Sequence, residues 1–282
     1  MILPSASIRP ALRAWRAAML GAACALALAA CSGKDDDNKT YVEQPVEQLY
    51  NQALDALGAG QYKTAAKGFE EVDRQHPYSV WATKAQIMAA FSFYQANKYD
   101  DAILALDRFI QLHPGHRDIA YAYYLKALCY YEQISDVGRD QRITEQALNS
   151  LADVVKRFPE TGYARDARLK VDLAIDHLGG KEMDIGRFYQ RQRQYVAAIN
   201  RYRMVIEKYQ TTTHTPEALH RLVECYLALG VQQEAKMAAA VLGHNYPGSD
   251  WYADSYFILE GVDMRPERSD GSWLNRMWKS IF

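Results

Sequence analysis

One punctuation mark, repeated along the chain, limits what it can fold into. Gly60-Gln61-Tyr62 is followed by Ala65-Ala66, Phe69 and His76-Pro77, and 37 residues later Asn97-Lys98-Tyr99 is followed by Ala102-Ile103, Leu106 and His113-Pro114. The beat returns as Ala147, Leu151, Val154 and Phe158-Pro159, then as Tyr195, Ala198, Tyr202 and Val205, then as Gly230, Ala235, Leu242 and Tyr246-Pro247. Each beat reads as two short antiparallel helices, with a small residue where they cross and a proline that stops the second. Neither helix can bury its apolar stripe alone, so neighbouring units must stack. Such arrays are built for binding.

The spacing fits the tetratricopeptide pattern of about 34 residues, with Gly and Tyr in the first helix, Ala and Phe in the second and Pro at the end. The expected fold is therefore all-α, a superhelical array (α-solenoid) of about five tetratricopeptide hairpins. In the fourth unit Gly186 and Tyr189 stand where the pattern asks for Gly and Tyr, and in the fifth Gly230 ends the first helix. Taking Gln210 in place of the missing fourth proline, the units end at 77, 114, 159, 210 and 247, with gaps of 37, 45, 51 and 37 residues. Two departures follow. The third unit carries an insertion at Ser135-Asp136-Val137-Gly138-Arg139-Asp140, a polar loop between its helices. The fourth opens with an apolar-periodic run from Tyr163 to His177 that elongates its first helix, with Gly179-Gly180 expected to break or kink it.

The first 30 residues obey other physics. Arg9, Arg13 and Arg16 precede an apolar run, Ala17 to Ala30, too short and alanine-rich for a membrane span. Residues 1–30 read as a signal peptide. The run ends Leu28-Ala29-Ala30-Cys31, similar to the lipobox of bacterial lipoproteins, so Cys31 is the expected lipidation site and residues 31–45 a tether. Ser32, not Asp, follows that cysteine, which favours the outer membrane. Residues 46–160 then hold repeats 1–3, residues 161–260 repeats 4–5, and residues 261–282 an amphipathic tail. Losing residues 1–30 leaves 30 basic against 34 acidic residues, so no polyanion is expected as a partner, nucleic acid included. Cys129 and Cys225 lie in apolar helical runs two units apart, which stacking keeps too distant for a disulfide.

No catalytic or cofactor motif stands out. The chain has no Gly-rich phosphate loop, His-Glu-x-x-His, paired cysteines or nucleophile elbow, and His113-Pro114-Gly115-His116 reads as a turn between repeats and not as a metal site. Positions 2, 5, 9 and 12 of each first helix are expected to line a groove. In the first unit these are Glu47, Tyr50, Leu54 and Leu57, in the second Lys84, Ile87, Phe91 and Tyr94, and in the third Tyr121, Tyr124, Leu128 and Tyr131. An aromatic groove of this kind suits an extended or helical segment with aromatic anchors, unless the packing itself covers the rings. The fourth and fifth units place Gly180, Met183, Arg187, Gln190, Glu217, His220, Glu224 and Leu227 there, so the face turns charged.

The lipobox, the five units, Leu49-Tyr50-Asn51-Gln52-Ala53, Tyr62 through Pro77 and Tyr163-Ala164-Arg165-Asp166-Ala167 together resemble the BamD (ComL-type) lipoprotein family of the outer-membrane β-barrel assembly machinery. The resemblance spans roughly residues 31–260. It implies a non-enzymatic scaffold, lipid-anchored on the periplasmic face of the outer membrane. Its partners would be the POTRA domain of a BamA-type barrel subunit, other lipoproteins of the complex and unfolded outer-membrane β-barrel proteins. Substrate would meet Tyr50, Leu54, Phe91, Tyr94, Tyr121, Tyr124 and Tyr131, and the barrel subunit Arg187, Arg191, Arg193 and Arg201. A tetratricopeptide adaptor for peptidoglycan synthesis, division or competence is the alternative. In the tail, Trp273, Leu274, Met277, Trp278 and Ile281 share one face if the segment is a helix, and the readings are a cap over the last repeat, a partly disordered tail, docking to a second lipoprotein or contact with the membrane surface.

Overall fold

A computed structural model of the chain describes residues 43–261. The expected signal peptide (residues 1–30), Cys31 and the expected amphipathic tail (residues 262–282) lie outside them. The described residues form eleven α-helices and no strand. They pair as α1 (Val46–Gly58) with α2 (Tyr62–Gln75), α3 (Val80–Gln95) with α4 (Tyr99–Leu112), and α5 (Ile119–Tyr131) with α6 (Arg142–Arg157). Then α7 (Gly162–Arg191) pairs with α8 (Tyr195–Lys208) and α9 (Thr215–Ala228) with α10 (Gln232–Asn245), and α11 (Asp250–Glu260) packs on α9 and α10. Each helix lies against its neighbours in sequence, as a stacked array requires.

The residues of the repeated beat are the ones at the crossings. Ala65, Ala66, Phe69, Ala102, Leu106, Ala147, Leu151, Ala198, Tyr202, Ala235 and Leu242 are all fully buried. The closest approaches need glycine. A Cβ at Gly68 would stand 2.9 Å from the Ala53 methyl, and one at Gly186 only 2.4 Å from the Tyr202 ring. Four of the first helices end in a left-handed residue, Gly60, Asn97, Arg193 or Gly230, two positions before the second helix starts. Ser79, Thr161 and Ser249 cap α3, α7 and α11, their hydroxyl oxygens accepting from the backbone N–H of Ala82, Ala164 and Trp251.

The insertion of the third unit is a loop between α5 and α6. Asp136 Oδ1 accepts from the Gly138 N–H at 2.7 Å, and the Gln141 side chain donates to the carbonyls of Asp136, Val137 and Arg139. The fourth unit does have the elongated first helix, but Gly179-Gly180 does not break it. The 30-residue α7 runs through both glycines and is fourteen residues longer than the 16-residue α3. Fourteen residues are nearly four whole turns, so both ends of α7 keep the facing of a normal first helix. The glycines serve a close approach instead. A Cβ at Gly179 would lie 3.3 Å from Thr212 Oγ1, and one at Gly180 would lie 3.1 Å from His214 Nε2 and 3.5 Å from Val137. Lys181 Nζ donates to the Gly138 carbonyl at 3.0 Å. The two departures from the repeat thus pack on each other.

Candidate functional site

The first-helix positions separate into two chemistries. Between α3, α5 and the start of α7, four tyrosines come together. Tyr163 stacks on Tyr124 with ring centroids 5.2 Å apart and an interplanar angle of 29°, and meets Tyr121 at 5.6 Å. Tyr94 packs on Tyr99 at 5.9 Å, and its hydroxyl donates to Glu132 at 3.4 Å. The Tyr124 hydroxyl donates to Asp166, which also takes the Lys170 ammonium at 2.7 Å. Lys170 in turn lies 5.7 Å from the centre of the Tyr131 ring. Tyr94, Tyr121, Tyr124 and Tyr131 are half-buried and Tyr163 is exposed. The strip is therefore wetted on one side and packed on the other.

Burial pushes the Tyr121 phenol up to about 12, helped by Tyr163 and Tyr94, and burial with the Glu132 carboxylate does the same to Tyr94. Tyr124 is raised further, by burial first and then by its bond to Asp166. All three are neutral donors at physiological pH. The Lys170 and Tyr124 hydrogen bonds hold the Asp166 carboxyl below its usual range, so it stays an acceptor.

Not every expected groove residue belongs to this strip. Tyr50 is buried between Phe69, at 5.3 Å, and Trp81 of the next unit, at 4.8 Å. It is core, because the second helical residue of α3 closes over it. Leu54 is exposed, and Phe91 is half-buried against the core shared by α3, α4 and α5. Tyr163, Asp166 and Lys170 are missing from the groove positions counted along the sequence. A signal for Tyr163 was present: Trp81, Tyr163 and Trp251 each stand two residues after a Ser or Thr cap, and each covers a ring of the preceding first helix, Tyr50, Tyr124 and His220.

Between α7 and α9 the contacts are ionic. Arg187 grips Glu217 with two nitrogens, Nε at 2.9 Å and a terminal nitrogen at 2.5 Å. Arg221 reaches Glu217 at 3.4 Å and Glu224 at 2.8 Å, and Gln190 donates to Glu224 at 2.8 Å. The buried Tyr202 hydroxyl donates to Gln190 at 2.7 Å, tying this ladder to the core. Burial raises the Glu217 carboxyl, but the Arg187 hydrogen bond and the charges of Arg187 and Arg221 outweigh it and leave it low. Burial likewise raises Glu224, and hydrogen bonds from His220, Arg221 and Gln190 bring it down to about 2. Of the four expected arginines, Arg187 is thus neutralised inside the array and Arg201 pairs with Glu182 at 3.1 Å. Arg191 and Arg193 are exposed at the turn into α8.

His113 and His116 pack against Phe109, and the His113 ring hydrogen-bonds Gln86 at 3.0 Å, so this turn is built into the α3–α4 packing. Cys129 and Cys225 are free and buried, and burial pushes both thiols up to about 12. Among the described residues, no helix is long and apolar enough to cross a membrane.

Residues 42–242 match the family model YfiO, described as an outer membrane lipoprotein. An outer membrane protein assembly factor BamD from Caulobacter vibrioides is 52% identical over 243 residues, covering 86% of this chain and 80% of that protein. One from Rickettsia prowazekii is 48% identical over 235 residues, covering 83% of this chain and 93% of that protein. Among solved structures, the tetratricopeptide domain of P58(IPK) covers 76% of this chain and 55% of its own, at 19% identity and a TM-score of 0.39. That overlay is too loose to add to the fold described above.

Proposed function

The chain belongs to the YfiO outer-membrane lipoprotein family, and on that premise we propose that it is a non-enzymatic outer-membrane assembly scaffold with two working surfaces. The tyrosine strip receives unfolded β-barrel proteins through an aromatic residue at their carboxyl end. The exposed arginines at the α7–α8 turn engage a folded partner, the POTRA domain of a BamA-type barrel subunit. Cys31 carries the lipid that holds the array on the periplasmic face, beside other lipoproteins of the complex. No cofactor and no nucleic acid enters this account.

The observation that carries the reading is the stack of Tyr163 on Tyr124, flanked by Tyr121 and Tyr94. An incoming aromatic ring gains about 0.5–1.5 kcal/mol from such pairing beyond its area burial. The rings are already fixed by Asp166 and Glu132, so little rotamer freedom is lost when the segment arrives. Asp166 and Glu132 also offer acceptors to backbone N–H groups, and Lys170 a cation to a terminal carboxylate. Specificity is then for a class of segment, which an assembly factor serving many substrates needs.

The ionic ladder has another role. Its charges are satisfied internally, so Arg187 and Arg201 hold α7 to α9 and α8 and thereby aim Arg191 and Arg193, which stay in water. Exposed cations at an interface rim act on association rate and orientation more than on affinity. Purifying the native lipoprotein from membranes tests the whole reading: a large barrel protein bearing POTRA repeats co-purifies, and Cys31→Ala moves the chain to the soluble fraction. Recovery of peptidoglycan-synthesis or division proteins, with no barrel subunit, would replace it with the adaptor reading.

A further inference from the structure

One groove between successive second helices sets like charges against each other. It runs between α2 and α4, above α3, and holds a cavity of about 370 Å³. A smaller cavity of about 260 Å³ between α8 and α10, above α9, is lined at the equivalent positions 133 residues further on. Glu70 there becomes Arg203, Ala89 becomes Leu222, Asp101 becomes Glu234 and Leu104 becomes Met237. The acid in the first turn of the second helix is common to both and suits the positive end of that helix. The other wall differs. Arg203 and Glu234 line their cavity with opposite charges, whereas Glu70 and Asp101 line theirs with the same one.

Among the described residues no ion pair reaches Glu70 or Asp101, and Arg108 is held by Asp73 at 3.3 Å. Burial first, and then the charge of Asp101, raise the Glu70 carboxyl against the opposing charges of Lys67 and Arg108. Below these acids the groove is apolar, with Ala89 only 3% exposed on its floor and Leu104 73% exposed on its rim. The next groove along the array shows what fits such walls. There Asp107 holds the position of Glu70 and Lys126 that of Ala89, each 37 residues on, and the Lys126 ammonium reaches Asp107 at 2.5 Å. A lysine rising from the floor satisfies the wall acid in that groove, and alanine leaves room for one in this groove.

We propose that the α2–α4 groove receives a lysine side chain from an amphipathic helix of a partner protein. Its ammonium sits between Glu70 and Asp101, its stem lies over Ala89, and an apolar residue one helical turn away covers Leu104. A lysine stem buries well on an apolar floor while its compact ammonium stays with the carboxylates at the rim. A helix laid in a groove presents such anchors at four-residue spacing. Second helices wall this site and first helices build the tyrosine strip, so the two are separate, and the proposal does not depend on the function given above.

The probe is a capped, alanine-based helical peptide containing Leu-x-x-x-Lys-x-x-x-Leu, titrated against the mature chain with Cys31→Ala. Glu70→Gln with Asp101→Asn, both at exposed positions, should weaken binding about tenfold, as should norleucine in place of the peptide's lysine, and added salt should weaken it too. Tyr94→Ala with Tyr163→Ala should leave it unchanged. Ala89→Lys should rebuild the Lys126–Asp107 pair inside this groove: the peptide is excluded, and carbon-13 NMR shows the Glu70 carboxyl titrating at lower pH than in the parent chain. Ala89→Met, which fills the same space without charge, should not lower it. The proposal is overturned if the peptide fails to bind at millimolar concentration, if the norleucine peptide or the Glu70→Gln/Asp101→Asn chain binds as tightly as the parent pair, or if Ala89→Lys leaves the Glu70 titration where it was. Self-association of the parent chain that Ala89→Lys removes would give the place to a lysine of a second copy and overturn a separate partner.

Discussion

The α5–α7 seam and the α7–α9 seam occupy equivalent places in the array and are closed by opposite chemistry. Positions 5, 9 and 12 are Tyr124, Leu128 and Tyr131 in the third unit and Met183, Arg187 and Gln190 in the fourth. The first seam is sealed by stacked phenols, the second by a guanidinium–carboxylate ladder. What the repeat dictates is the small residue at each crossing and the apolar residue beneath it. It leaves the first-helix face free, and this chain uses that freedom to build an aromatic surface, to which we assign the incoming segment, and a polar one that holds its own helices.

The comparison breaks most sharply at the crossings themselves. Gly186→Ala would push a methyl into three atoms of the buried Tyr202 ring, all within 2.9 Å, and should cost about 3 kcal/mol, the upper range for overpacking. Urea denaturation would read it, with the loss of exchange protection starting in α7–α10 and not in α1–α5. Arg187→Ala comes next, at about 2 kcal/mol. It strands Glu217, whose side chain is 12% exposed, but the arginine's own is 35% exposed, so the cost falls between the exposed and buried limits. An Arg187→Ala/Glu217→Ala double variant should recover part of that loss.

Acid should weaken the ladder, and alkali the tyrosine strip. Glu224 sits at about 2 against an ordinary 4.5. A depressed carboxyl stabilises the fold above the unfolded value and loses that contribution as pH falls, here between about 4.5 and 2. Tyr94 and Tyr121 sit at about 12 against 10. Their contribution is complete below pH 10 and is lost as pH rises towards 12. Exchange mapping at pH 3 should therefore show the α7–α9 ladder loosened, while tyrosinate absorbance should show delayed phenols on the alkaline side, Tyr94 and Tyr121 among them. The smallest effect expected is that of Tyr124→Phe, about 1 kcal/mol for one hydrogen bond to a partly exposed carboxylate, with the stack on Tyr163 retained.

Much of this was legible in the residues and some was not, for identifiable reasons. Ala, Gly and Phe at fixed spacing marked the crossings because steric fit there tolerates little else. The polar run at 135–140 announced its loop. Gly179-Gly180 misled because glycine in a helix signals either flexibility or close approach, and only the neighbouring turn at Thr212 and His214 shows which. Tyr50 looked like a groove residue because counting along one helix cannot see Trp81 arriving from the next. The same covering contact brings Tyr163 to Tyr124, so the rule that removed one residue from the strip added another. Arg187 and Arg201 looked free for a partner because their carboxylates, Glu217 and Glu182, lie 30 and 19 residues away in sequence.

The division into two surfaces is tested most directly by measuring two affinities on one set of variants. A short peptide of alternating apolar residues with a carboxyl-terminal Phe reports on the strip, and an isolated POTRA domain of the barrel subunit reports on the α7–α8 turn. Tyr94→Ala with Tyr163→Ala should weaken the peptide about 30-fold, the roughly 2 kcal/mol of an aromatic hot spot, and change POTRA binding less than about twofold. Arg191→Glu with Arg193→Glu should do the reverse. Equal losses of both ligands in either pair, or an unchanged peptide affinity in the tyrosine pair, would contradict the account.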